Sequence, residues 1–130
     1  MTTTHFHSVS PFLGVEDLSA VLAFYRDKLG FALAWEWGDP AEMASVCRDE
    51  VELTLVTRSD ARPGGISRLY LHIDGIDDYH AQLQAAGVAI TVAIGDRPYG
   101  MRDFSVTDPA GNVLCFGQAL PQPVGVVGTA

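Results

Sequence analysis

The side chains able to do chemistry are few and scattered along this 130-residue chain. Cys47 and Cys115 are too few for a disulfide framework and too far apart for a Cys-x-x-Cys metal site, so each reads first as a small buried hydrophobe. Of the four histidines, His5 and His7 lie near the N-terminus and His80 falls on an expected helix surface. Only His72 shares strand parity with Arg68 and Tyr70, and so one face with them. No Ser-His-Asp or Cys-His signature occurs, and no Gly-rich phosphate loop. What stands out is aromatic. Trp35 and Trp37 lie two apart on one expected strand and therefore on one face. Flat rings stack on planar ligands and on cations, at about 0.5–2 kcal/mol per contact, which is the chemistry of capture.

Composition narrows the partners. Sixteen acidic residues against eight basic ones give a net charge of −8, the wrong sign for a phosphate backbone, so no nucleic acid is expected. The same bias solubilises the surface and draws a cationic ligand, modestly at physiological salt. No apolar run approaches the roughly 18 residues that read as a membrane span, so no membrane partner is expected. Met1-Thr-Thr-Thr-His5 lacks the basic and apolar segments of a signal peptide, so the cytoplasm is the expected compartment. A hydrophobic content of 48% with 18% charged residues is globular, in one domain or two half-domains.

The elements that must position these residues repeat. The stretch Arg97–Gln118 organises the chain as a hairpin. Phe104–Val106 and Val113–Phe116 are β-rich, and Asp108-Pro-Ala-Gly-Asn112 between them supplies a turn, with Pro109 fixing φ and Gly111 and Asn112 tolerating left-handed backbone. Upstream, Ser8–Val15 reads as a strand and Asp17 caps a helix running to Leu29, with Leu18, Val21, Leu22, Tyr25 and Leu29 on one face. Gly30 ends that helix. Strands follow over Phe31–Trp37, Met43–Arg48 and Val51–Thr57, the last two joined at Asp49-Glu50. After a Pro/Gly-rich linker the pattern restarts: strand Arg68–Ile73, Asp74 as turn or cap, helix Ile76–Ala86, Gly87, strand Val88–Ile94. Asp17 to Gly30 and Asp74 to Gly87 are both 13 residues, and a shift of 57 overlays Phe31 on Val88. The fold class is α+β, a βαβββ module written twice, with modules at 8–57 and 66–118, a linker at 58–65 and an irregular tail at 119–130. One module leaves sheet edges open, so the modules must meet edge to edge or across a homodimer.

Pro11-Phe-Leu-Gly-Val-Glu-Asp-Leu18, with Ala23-Phe-Tyr25 and Lys28-Leu-Gly-Phe31, resembles the first module of the vicinal oxygen chelate superfamily, which includes glyoxalase I, extradiol dioxygenases and fosfomycin- and bleomycin-resistance proteins. Tyr99-Gly-Met-Arg-Asp-Phe-Ser-Val-Thr-Asp-Pro-Ala-Gly-Asn112 resembles its second-module signature. The resemblance spans roughly residues 8–118 and implies a curved, cup-like mixed sheet with helices outside. It also implies four strand positions where the metal enzymes place His, Gln or Glu ligands. Here these are Ser10, Glu52, Arg68 and Cys115. Only Glu52 is of the usual type, and Arg68 has no lone pair and stays charged. A cation in a divalent-ion slot opposes metal binding, and a lone Cys with one Glu does not complete a hard-cation site. The expectation is no metal and no cofactor, with Arg68 as counter-charge to Glu52.

Metal-free relatives that the chain resembles sequester aromatic or cationic antibiotics between subunits. The implied function is therefore small-molecule binding by a homodimer. Phe12, Trp35, Trp37, Glu52, Arg68, Tyr70, His72, Tyr99, Phe104 and Cys115 are the candidate ligand-binding residues. Parity leaves open whether Trp35 and Trp37 face the cup or pack beneath the first helix. The alternative is a glyoxalase-like lyase or isomerase, or a dioxygenase-family enzyme, acting on a small carbonyl compound. It would use Glu52 as general base and Arg68 as carboxylate clamp, or a displaced metal site through His72 and Glu52. A contacting Arg68 would depress the Glu52 pKa that such a base needs raised.

Overall fold

In the computed structural model, which describes residues 3–121, the chain divides between Ser67 and Arg68 into two compact units. The first contains β1 (Phe12–Val15), α1 (Leu18–Ala23), β2 (Ala32–Gly38), β3 (Ala41–Arg48) and β4 (Val51–Thr57). The second contains β5 (Arg68–His72), α2 (Ile76–Ala85), β6 (Val92–Asp96), β7 (Met101–Thr107) and β8 (Val113–Ala119). Each is a four-stranded mixed sheet, in the orders β1-β4-β3-β2 and β5-β8-β7-β6. In both, the first strand runs parallel to the last and the other pairings are antiparallel. The βαβββ unit is thus built twice with one topology, and the fold class is α+β.

The periodicity of the strands decides the core. Along β4 and β3, Leu53, Leu55, Ala44 and Val46 alternate onto one face and are buried with Leu13 and Val15 and with Val21, Leu22 and Tyr25 of the first helix. The second unit repeats this with Leu71, Phe104, Val106, Leu114 and Phe116 against Ile76, Tyr79 and Leu83. Phe104 and Phe116 meet at 5.5 Å between ring centroids, and Tyr79 stands edge-on to Phe116 at 5.0 Å. Each sheet therefore has one helix-covered face and one helix-free face.

Several boundaries differ from expectation for local reasons. β1 begins at Phe12 rather than Ser8, because Pro11 has no N–H to donate; its carbonyl instead accepts from Thr54 N at 3.0 Å. Asp17 caps α1 as expected, accepting from Ala20 N at 3.1 Å. The helix then widens into a π-turn over Phe24–Lys28, in which Leu29 N reaches Phe24 O, and both Tyr25 and Leu29 are buried. Asp74 does not cap α2. Gly75, at φ 69°, takes that position, and the Gln118 side chain of β8 accepts from Ile76 N at 3.0 Å. Val88 belongs to the helix end: its N–H returns to Leu83 O around left-handed Gly87, so the next strand starts only at Val92.

In the β7–β8 turn Gly111 is left-handed at φ 93°, whereas Asn112 is not. Asn112 instead donates from its backbone and side chain to Asp108 at 2.9 and 3.1 Å. β8 runs on to Ala119, opposite Met101, so residue 119 belongs to the sheet, and residues 122–130 of the expected tail lie outside the described residues. Among the described residues no helix is long and apolar enough to cross a membrane.

Candidate functional site

The helix-free face of the first unit is a hydrophobic surface. Its rungs read Phe12–Thr54–Ser45–Trp35 and Gly14–Val56–Met43–Trp37 across β1, β4, β3 and β2. Trp35 and Trp37 lie on the face opposite the one that packs on the first helix, at 42% and 57% exposure. A bulge between Leu33 and Trp35 resets the register so that both indoles share that face. Trp35, Glu36, Trp37, Met43 and Arg62 bound an open groove of about 330 Å³. Arg62 holds its guanidinium 6.0 Å from the Trp37 ring centroid while pairing with Glu42 at 3.2 Å. Cation and indole are thus already stacked in this groove.

Phe12 stands 58% exposed at the other end of the Trp35 rung. Glu52, opposite Cys47, accepts a short 2.6 Å hydrogen bond from Ser45 Oγ.

The helix-free face of the second unit is polar. Its rungs are Arg68–Val113–Thr107, Tyr70–Cys115–Ser105–Val92 and His72–Gly117–Asp103–Gly95. At its centre Asp103 is only 3% exposed. Its Oδ1 accepts from Arg97 Nε at 2.7 Å, and its Oδ2 accepts from both Tyr70 (2.9 Å) and Tyr99 (2.8 Å). Arg97 is fixed in turn, since Nη2 donates to Ala93 O and Asp103 O. Burial alone raises the Asp103 pKa, but the hydrogen bonds from Arg97, Tyr99 and Tyr70 outweigh it and hold the carboxyl below its ordinary range. Burial first, then the Asp103 hydrogen bond, pushes the Tyr70 phenol up; for Tyr99 that hydrogen bond leads.

Tyr70 lies over Gly117, where a Cβ would collide with its ring, and its centroid is 5.1 Å from that of His72. Burial also raises the Cys115 pKa, against the lowering effects of the Ser105 hydrogen bond and the Arg68 charge, so the thiol stays neutral rather than nucleophilic.

The sequence-derived candidates therefore divide. Phe12, Trp35, Trp37 and Glu52 gather on one helix-free face; Arg68, Tyr70, His72 and Cys115 gather on the other, with Tyr99 joining them from the turn at 97–100. Phe104 belongs to neither. It is fully buried in the helix-side core, and the half-buried His80 stands edge-on to it at 5.0 Å. The hairpin explains why: Ser105 faces Cys115, so Phe104, one residue earlier, must point to the opposite face. Asp103, Arg97, Met43 and Arg62 escape a reading that looks for ligands and aromatics. Parity from Cys115 across the turn would have found Asp103.

Of the four family positions, Ser10 lies outside β1, Glu52 accepts a hydrogen bond from Ser45, and Arg68 shares a sheet face with Cys115. Arginine cannot coordinate, and serine and a neutral thiol are poor partners for a hard cation. Among the described residues no three His, Cys, Asp or Glu side chains form a metal-holding group.

Two βαβββ modules, each with one helix-free sheet face, define the fold class of the protein. The family model of the Glyoxalase/Bleomycin resistance protein/Dioxygenase superfamily matches residues 5–116, and the chain belongs to that superfamily. It is 25% identical to a bleomycin resistance protein of Geobacillus stearothermophilus, over 85% of this chain and 95% of that one. Among solved structures, TnmS3, an antibiotic-binding protein from Streptomyces sp. CB03234, matches with a TM-score of 0.74 and 28% identity over 91% of this chain and 99% of its own. Lactoylglutathione lyase from Agrobacterium tumefaciens shares the fold, with a TM-score of 0.73 and 23% identity over 89% of this chain and 96% of its own.

Proposed function

We propose that this protein binds and sequesters a small antibiotic-type molecule, aromatic or cationic, without a metal and as a homodimer. The observation that carries the reading is the paired indoles of Trp35 and Trp37, exposed on a sheet face that needs neither of them for its core. Exposed tryptophans side by side are an apolar surface kept available for a partner. The groove they line lies at the small end of the range for small-molecule pockets. Arg62 on Trp37 marks where a ligand cation would stack, and Glu36 and Glu42 stand near to balance it. Similarity to a bleomycin resistance protein and to an antibiotic-binding protein supports the same reading. Each sheet ends on two edge strands, β1 and β2 or β5 and β6, whose backbone groups a second chain could pair.

Titration with metal-free bleomycin, followed by tryptophan fluorescence, tests the proposal. Quenching that saturates, and that Trp35→Ala and Trp37→Ala each abolish, is the expected result. A flat titration with bleomycin and with planar cationic dyes contradicts it. One tightly bound divalent ion per chain contradicts the metal-free part, and a monomer by light scattering contradicts the dimer. Turnover of a hemithioacetal, lost in Glu52→Gln, would favour the lyase reading instead.

A further inference from the structure

We propose that Arg62 is a built-in competitor for the tryptophan groove, an autoinhibitory cation that a ligand cation must displace from Trp37 before it can take over the Glu42 carboxylate. This rests on the reading that the protein captures small molecules, and adds to it the residue that limits how tightly a cationic one is held.

Arg62 enters the groove from the loop that follows β4, not from the sheet. The main chain of that loop is clipped on both sides of it. Ser59 N donates to Arg62 O at 3.1 Å, and Arg62 N donates to Ser59 O at 3.0 Å and to Ser59 Oγ at 3.2 Å. Pro63 restricts Arg62 to extended backbone. One residue further, a Cβ on Gly64 would lie 3.6 Å from Gly14 Cα, so the loop passes close over β1. The guanidinium is held far more loosely than the backbone that carries it. It stands 6.0 Å from the Trp37 ring centroid, the outer edge of the cation–π range. Its 3.2 Å ion pair with Glu42 joins side chains that are 36% and 53% exposed. Contacts of either kind at the surface shift an equilibrium by no more than about fivefold. The side chain can therefore swing off Trp37 by changing rotamers while the loop stays in place.

Charge decides what can displace it. A second cation cannot share the Trp37 ring with Arg62, because like charges at contact distance repel. Once Arg62 has left, the same ring and the same carboxylate serve the ligand, so stacking and pairing are exchanged rather than lost. Thr57 Oγ1 donates to Glu42 O at 3.0 Å and keeps the main chain beneath that carboxylate in place. A neutral planar molecule offers Glu42 nothing in return, so it gains little from expelling Arg62. The internal pair thus lowers the affinity of the groove for cations below what its indoles and carboxylate would otherwise give.

Proflavine, a planar tricyclic cation, and acridone, a planar neutral tricycle, separate these effects by tryptophan quenching. Arg62→Gln, which keeps most of the side-chain stem, should bind proflavine about three- to tenfold more tightly than wild type, with acridone changed by less than about twofold. Bleomycin, also cationic, should follow proflavine. Adding Glu42→Gln should cancel the gain, because the carboxylate that the ligand would take over is gone. Proflavine and bleomycin binding that is unchanged or weaker in Arg62→Gln overturns the competitor and leaves capture by the tryptophans standing. So does an equal gain for acridone, or a gain that survives Glu42→Gln. If neither proflavine nor bleomycin binds wild type or Arg62→Gln, the capture reading fails and the competitor fails with it.

Discussion

The two units share a strand order and a helix-facing core but differ almost completely on the other face. A serine occupies the same rung in both, Ser45 between Trp35 and Thr54 and Ser105 between Val92 and Cys115. Around it the first unit places indoles, a thioether and one short Ser45–Glu52 hydrogen bond, and the second places a carboxylate with three charged or phenolic donors. The helix-side strand positions stay apolar throughout, Leu13, Val15, Ala44, Val46, Leu53 and Leu55 in the first unit and Leu71, Phe104, Val106, Leu114 and Phe116 in the second. One face of each sheet is thus committed to folding, which leaves the other free to diverge toward recognition.

The sharpest way to break that division is to cut the committed face. Phe104→Ala removes a fully buried ring that packs on Tyr79 and Phe116, and should cost about 3–5 kcal/mol by denaturant unfolding. A loss under about 1 kcal/mol would show that the helix side does not carry stability as described.

Asp103→Ala comes next. It strands Arg97 and two phenols, and because Arg97 is a quarter exposed the expected loss is about 3 kcal/mol, the low end for breaking a buried pair. The pH dependence has a definite sign. Asp103 is held below its ordinary pKa in the folded chain, so its contribution is present above the unfolded value, about 3.9, and disappears as pH falls through the folded one. Acid unfolding curves of wild type and variant should draw together as pH falls below the unfolded value; a stability gap that does not narrow there would contradict the ionised cluster.

Gly117→Ala should cost about 1–3 kcal/mol, because its methyl group must displace the Tyr70 ring. Tyr70→Ala in the same chain should recover most of that strain, and a full additive loss in the double variant would show that the ring does not lie there. Smallest of all is the effect of Trp35→Ala or Trp37→Ala on stability, expected within about 1 kcal/mol because both indoles are substantially exposed.

The same division explains what could be read from the chain and what could not. The repeat was legible because capping and apolar spacing are local: Asp17, Gly30 and Gly87 announce helix ends, and Leu-Val alternation announces strands. The pairing of Tyr70 with Asp103 spans 33 residues, and the replacement of Asp74 by Gln118 at the α2 cap spans more than 40, so no local pattern encodes either. The face that Trp35 takes depends on the bulge after Leu33, since a bulge inverts parity counts. At position 104 an aromatic side chain suggests a ligand contact, whereas parity with Ser105 and Cys115 assigns Phe104 to the core.

The measurement closest to the central claim is a paired one: bleomycin affinity and unfolding free energy, both taken on Trp35→Ala/Trp37→Ala and on Phe104→Ala where each is folded. Recognition confined to the helix-free face predicts that the tryptophan variant keeps its stability and loses binding, while Phe104→Ala loses stability and, in its folded fraction, binds as wild type. Wild-type affinity in the tryptophan variant, or a core variant that loses binding while still folded, would contradict it.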